Sequence, residues 1–260
     1  MSSAERVVDL LGLFTQAQPV WSPARAASTL GVSRASAYRY FALLARAGLV
    51  EASGPGGFAL GPAIVGLDRQ IRLADPLLQA ARGLMDELAR HTGGMVLLSR
   101  LHRDRVMCIH QSGAGGRAAL PVSYERGRAM PLHRGATSKA ILAFLPARVL
   151  ARMLEEAGTP AGLRPELQRI REDGLCITRG EVDRGALGIA VPLFGPSAGA
   201  EPPVTGSLSV VLAREAIDEA AAGRATRQLR LAAARVQERL GQHAAARRKP
   251  RRAGNTEGQA

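Results

Sequence analysis

The feature that most constrains this chain is a pair of tightly punctuated helices between Ser22 and Gly48. Ser22-Pro23 sets a capping hydroxyl before a proline at the first helical position, where the missing N–H has no helical partner to lose. That helix is expected to stop at Gly31, a residue free to take the positive φ of a tight turn. Ser33 caps a second helix, which continues through Ala35, Tyr38, Leu43 and Leu44 to Ala47 and ends at Gly48. Ala27 is small where the two helices must approach closely, and Val32, Ala37 and Phe41 give the second helix an apolar back. Upstream, Val7, Leu10, Leu11 and Phe14 share one helical stripe, with Ser2 and Glu5 at capping-box spacing. Downstream, Leu49–Ala52 and Phe58–Leu60 flank Ser53-Gly54-Pro55-Gly56-Gly57, the pattern of a β-hairpin. Three helices closed by a hairpin predict a winged helix-turn-helix.

Such a unit points to double-stranded DNA. The second helix is expected to expose Arg34, Ser36, Arg39 and Tyr40, with Ser33 at its N-terminus and Arg25 on the helix before it. Arginine bonds guanine edges bidentately, Ser and Tyr reach phosphates or base edges, and a helix N-terminus suits a phosphate. The second helix would lie in the major groove with the hairpin beside it on the backbone. The plainer alternative is three amphipathic helices with solvated arginines. It loses ground because the caps, Ala27, Gly31 and the hairpin occur in the required order.

Net charge is +13, which fits nucleic acid, an anionic membrane surface or an acidic ligand alike. Of 35 basic residues only Lys139 and Lys249 are lysines, so part of the bias reflects an Arg- and Ala-rich composition. Residues 242–260 mix Arg247, Arg248, Lys249, Arg251 and Arg252 with Gly, Pro, Asn and Gln, and read as a disordered basic tail. This tail would either grip phosphates without sequence preference or stay solvated.

Residues 62–75 predict a linker helix with Ile64, Leu67 and Ile71 on one stripe, too one-sided to be a core and suited to a second copy. Asp75-Pro76 breaks it. From Pro76 a helix runs to about His91. Met95–Leu101, Arg105–Gln111 and Ala118–Tyr124 then read as strands, followed by helices at Thr137–Leu145, Pro146–Ala157 and Pro165–Asp173. Strands return at Leu187–Phe194 and Gly206–Leu212, before a closing helix from Arg214 to about Gly241. Hairpins at both ends with helices between predict an α+β domain with an antiparallel sheet.

The ordered set Ser3–Leu11, Ala27–Gly31, Val32–Leu44, Ala47–Val50 and Phe58–Pro62, then Pro131–Ala140, Gly180–Gly185, Ile189–Leu193 and Ser207–Val210, resembles the IclR family of bacterial transcriptional regulators. The resemblance spans about residues 3–240. It implies a DNA-binding domain over 1–61, a dimerising linker over 62–75 and a GAF-like effector-binding domain over 76–241. It also implies a homodimer or tetramer on a palindromic operator, usually as a repressor, and a small effector that is often a carboxylate or an aromatic. Carried over by position, the effector pocket includes Ser138, Asp183, Gly188, Ser207 and Ser209, and the loop Gly135-Ala136-Thr137 that leads into Ser138 is expected to join them. Two positions depart from relatives: Ser138 stands where many have Gly, and Gly188 where members that bind polar acids carry Cys or Ser. Independently of the family, backbone N–H groups over residues 135–138 suit a carboxylate where a loop enters a helix. Ser207 and Ser209 alternate along a strand and share a side, either the pocket or solvent.

Other chemistries find little support. Gly135 to Lys139 lacks the second glycine spacing and the Lys-Ser/Thr of a phosphate loop. Cys108 and His110 share a strand face, but no second pair completes a metal site. Ser112-Gly113 and Ser138-Lys139 are only fragments of a nucleophilic site. The expectation is therefore no enzyme, catalytic residue, metal or cofactor. Two cysteines exclude a disulfide scaffold. With no signal-peptide pattern and no run of 18 apolar residues, the chain reads as soluble and cytoplasmic. The remaining alternatives are a ligand-sensing or dimerisation module without specific DNA binding, and a hydrolase.

Overall fold

The computed structural model describes residues 2–103, 105–113, 123, 125–157, 160–196, 202–214 and 217–248. The chain divides into two compact units, Met1–Asp75 and Pro76–Ala260.

In the first unit, α1 (Ser3–Gly12) begins with the capping box of Ser2 and Glu5. Helix α2 (Pro23–Leu30) is capped by Ser22 and ends at Gly31, whose φ is 64°. Ser33 caps α3 (Arg34–Arg46) by accepting from the Ser36 amide. Strands β1 (Val50–Ala52) and β2 (Phe58–Leu60) pair antiparallel, and Trp21 bridges to Phe58. Leu10, Trp21, Ala26, Leu30, Tyr40, Phe41, Leu44 and Val50 form one core. Phe58 stacks on Phe41 with ring centroids 4.6 Å apart, fixing the hairpin to α3. Helix α4 (Ala63–Ala74) follows and buries none of its residues; Val65, Leu67, Ile71 and Leu73 are exposed.

Among the described residues, the second unit carries a six-stranded antiparallel sheet in the order β5-β4-β3-β8-β7-β6. Its strands are β3 (Met95–His102), β4 (Arg105–Ser112), β5 (Ala129–Pro131), β6 (Cys176–Arg179), β7 (Ala186–Phe194) and β8 (Val204–Ala213). Helices α5 (Pro76–Thr92) and α9 (Glu219–Arg248) cover one face, where Leu208, Val210 and Leu212 of β8 meet Leu84, Leu229 and Val236. Helices α6 (Ala136–Leu142), α7 (Ala147–Ala157) and α8 (Leu163–Asp173) cover the other, around Ile141, Leu154, Leu167 and Ala190. Strand period decides this division: the β8 residues between those leucines and valines point toward α6.

Three expectations need adjustment. The closing helix starts at Glu219 and passes Gly241 to end at Arg248, so 242–248 is helical rather than the start of a tail. The sheet gains two short strands that the sequence does not predict, β5 at one edge and β6 at the other. The expected strand Ala118–Tyr124 falls outside the described residues except for Ser123, and the tail does so from Lys249 onward.

Candidate functional site

On α3, the residues Ala37, Tyr40, Phe41 and Leu44 are buried, a spacing that turns one helical stripe inward. Arg34, Tyr38 and Arg39 are left outside. Tyr40, expected on the DNA-facing side, is only 6% exposed. Its hydroxyl accepts from Ser3 Oγ at 3.3 Å, so it ties α1 to α3 instead. Tyr38, which that expectation passed over, is 60% exposed. Helical geometry explains the exchange: positions two apart lie on opposite sides of a helix.

The other expected DNA-facing residues stand as follows. Ser33 is spent on the cap, its hydroxyl also donating to Ser36 Oγ at 3.0 Å. Arg39 donates to that same Ser36 Oγ at 3.3 Å, which sets the guanidinium along the helix. Arg25 is exposed, lies 4.8 Å from the Trp21 ring centroid and donates to Gln18 Oε1 at 2.6 Å. Such a cation over an indole is held in place without losing its charge. The hairpin from Val50 to Leu60 contains no Arg or Lys, so any phosphate contact there falls to backbone amides.

In the second unit the chain enters α6 through Gly135, whose φ of 81° favours glycine. A cavity of about 30 Å³ lies here, lined by Gly135, Ala136, Thr137, Asp183 and Gly188 from the expected set, together with Thr178, Glu181 and Val211. That is room for roughly two waters. Its polar groups are satisfied from within the protein. The Ala136 amide donates to Thr178 Oγ1 at 3.1 Å, and the Gly135 amide to Glu181 Oε2 at 2.9 Å. Asp183 accepts from both the amide and the hydroxyl of Ser123.

Ser207 and Ser209 do share a side, toward α6, but they do not line the cavity. Ser207 Oγ donates to the Thr137 carbonyl at 2.9 Å, and Ser209 Oγ lies 2.9 Å from Thr137 Oγ1. Both serines are fully buried, and they fasten the first turn of α6 to β8. Ser138 is likewise fully buried. At Gly188 a Cβ would stand 3.2 Å from Thr178 Oγ1 and 3.4 Å from the Ala136 Cβ. Thr178 pairs with Gly188 across β6 and β7, so its hydroxyl supplies a polar group beside the glycine.

Beneath the cavity, Lys139 is 5% exposed and lies between two carboxylates. Its Nζ reaches both oxygens of Glu166 at 2.8 and 2.9 Å and Glu181 Oε1 at 2.8 Å. Burial pulls the lysine's pKa down, but the bonds and charges of the two glutamates outweigh that and raise it. Among the described residues no group of three or more His, Cys, Asp or Glu is placed to hold a metal ion.

Residues 3–54 match the IclR helix-turn-helix domain, and residues 74–238 match the bacterial transcriptional regulator IclR C-terminal family. The chain belongs to the IclR family. An HTH-type transcriptional regulator of Mycobacterium tuberculosis, Rv1719, is 31% identical over 202 residues, covering 74% of this chain and 76% of its own. The IclR transcriptional regulator of Alicyclobacillus acidocaldarius superposes with a TM-score of 0.77 at 26% identity, covering 92% of this chain and 98% of its own. An IclR homolog of Microbacterium hydrocarbonoxydans, solved in complex with 4-hydroxybenzoate, shares the fold with a TM-score of 0.76 at 22% identity, covering 92% of this chain and 99% of its own. This IclR-family chain is a helix-turn-helix transcriptional regulator and not an enzyme. Within that frame, sequence reasoning missed Tyr38, Thr178, Glu166 and Glu181, and weighed Lys139 only against a phosphate loop and a nucleophilic site. One signal was available: Lys139 is the single lysine before residue 249, and it sits inside a segment that carried the resemblance.

Proposed function

We propose that this chain is a cytoplasmic, effector-responsive repressor that binds a palindromic operator as a homodimer. The observation that carries the reading is the exposed Arg34, Tyr38 and Arg39 on a helix whose opposite stripe is buried against α1, α2 and the hairpin. Two such helices, related by a two-fold axis, would read half-sites in successive major grooves. Arg34 and Arg39 bond base edges or phosphates, Tyr38 reaches alongside them, and Arg25 steadies the backbone. Exposed apolar side chains on α4 support dimerisation: Leu67 and Ile71 share one stripe, and large side chains left in water on a short helix are costly unless a second copy covers them.

The effector, a small carboxylate or aromatic molecule, binds where α6 begins, among Gly135, Ala136, Thr137, Asp183 and Gly188. Ser138, Ser207 and Ser209 act from behind by holding α6 in place. The 4-hydroxybenzoate held by the Microbacterium homolog supports a ligand of this class. The cavity must widen to admit it. Effector binding then shifts operator affinity by as much as it discriminates between the DNA-competent and DNA-incompetent arrangements. The test is selection of bound duplexes from a random-sequence pool. Enrichment of an inverted repeat with half-sites an integral number of helical turns apart is expected; enrichment of no sequence would overturn the specific-regulator reading.

A further inference from the structure

The cavity at the start of α6 already holds a carboxylate, and it belongs to the protein. Glu181 takes the Gly135 amide on one oxygen and the Lys139 ammonium on the other, at 2.9 and 2.8 Å. These are the two donors a small organic acid would use there. Lys139 is buried and satisfies Glu166 as well, so one cation already faces two anions. Asp183 adds a further carboxylate to the lining. An outside carboxylate that approaches Gly135 therefore meets like charge, and it gains the amide only by taking the place of Glu181.

We propose that Glu181 is an internal ligand of the effector pocket, a specificity-determining residue that a carboxylate effector must displace. Displacement breaks the arm from Lys139 to the turn at residues 180–185 and leaves Lys139 paired with Glu166. Occupancy of the pocket is thereby converted into release of the Glu181 side chain, and of the turn that carries it, from its anchor on α6. The turn is otherwise held to the α6 approach by Arg134, which donates to the Glu181 carbonyl at 2.6 Å. The proposal rests on the reading of this cavity as the effector site, and it deepens that reading.

The test is chemical rescue in the full-length chain. Glu181→Ala removes the internal carboxylate but leaves the Glu166–Lys139 pair. Its melting temperature is expected to fall, and formate is expected to reverse most of that fall in a saturable way. Formamide, of similar shape but uncharged, and chloride at matched ionic strength should not. The wild-type melting temperature should respond to formate no more than to chloride. The Gly135 amide proton reports the site directly: its NMR shift should move in the variant and return toward the wild-type position with formate. If Glu181→Ala does not fold, Glu181→Ser carries the same comparison. Formate insensitivity of a folded variant, or equal sensitivity of the wild type, overturns the proposal. Operator binding is followed in parallel. Rescue without any operator response to small acids removes the regulatory reading of the pocket and leaves the internal-ligand assignment standing.

Discussion

At the scale of single residues, two tyrosines two positions apart have opposite fates. Ala37, Phe41 and Leu44 define the inward stripe of α3, and Tyr40 lies three after the first and four before the last. That spacing is legible in the sequence, and a polar hydroxyl does not by itself carry a tyrosine out of such a stripe. Tyr40→Ala should therefore cost about 3 kcal/mol of unfolding free energy, the range for emptying an aromatic site. Tyr40→Phe should cost under about 1 kcal/mol and leave operator affinity unchanged. Tyr38→Ala should behave oppositely, with an unaltered urea midpoint and weakened operator binding. Arg39→Ala should weaken binding by about 1–3 kcal/mol if it reads a guanine edge. Retained affinity at matched salt would remove it from the interface. Lys139 is the residue that periodicity could not have placed. Its partners lie 27 and 42 positions away, on α8 and in the turn before β7. No local pattern encodes a meeting at that separation.

At the scale of elements, the caps carried most of the legibility. Ser2, Ser22 and Ser33 each accept the amide expected of them, and Gly31 takes its left-handed φ. Those signals are local, since each concerns groups within one helical turn. Strands β5 and β6 are illegible for the opposite reason, being three and four residues long at the two sheet edges. Cys176-Ile-Thr-Arg is four residues long at a sheet edge, with Ile177 exposed, so its pattern is weak. The lining of the cavity at α6 was partly legible. Gly135, Ala136, Thr137, Asp183 and Gly188 line the cavity, whereas Ser207 and Ser209 point to the same helix but are consumed by Thr137. Alternation along β8 settles which side a serine faces and not what it meets there. The apolar stripe of α4 yields a test of its own. Leu67→Glu with Ile71→Glu should shift the chain toward monomer in sedimentation and weaken operator binding in proportion. A dimer of unchanged stability would place the dimer contact elsewhere.

At the scale of the whole molecule, charge and pH act together. Deleting residues 249–260 removes Lys249, Arg251 and Arg252, and should flatten the salt dependence of DNA binding while operator choice stays. Lost sequence preference would contradict that. Burial raises the thiol pKa of Cys108 to about 11 and that of Cys176 to about 12, from 9.0. The native chain thus keeps thiol protons that the unfolded chain releases above pH 9.0, so stability should fall as pH rises beyond that value. Lys139 acts in the same direction but later. Its raised pKa keeps its full contribution below 10.5, and that contribution is lost only as pH climbs through the folded value. Urea midpoints should hold between neutral and mildly basic pH and then decline, and the decline should be smaller with both cysteines replaced by alanine.

The account turns on specific operator recognition by the exposed face of α3. The measurement that reaches it most directly is competition at fixed salt. The chain is bound to a labelled inverted repeat recovered by selection, then challenged with the same duplex unlabelled or with a scrambled duplex of equal length. The account predicts that the repeat competes at least about a thousandfold better than the scramble, the span that separates specific from non-specific binding, and that Arg39→Ala narrows the gap. Equal competition by the two duplexes would contradict it and reduce the chain to a basic protein that associates with DNA without reading it.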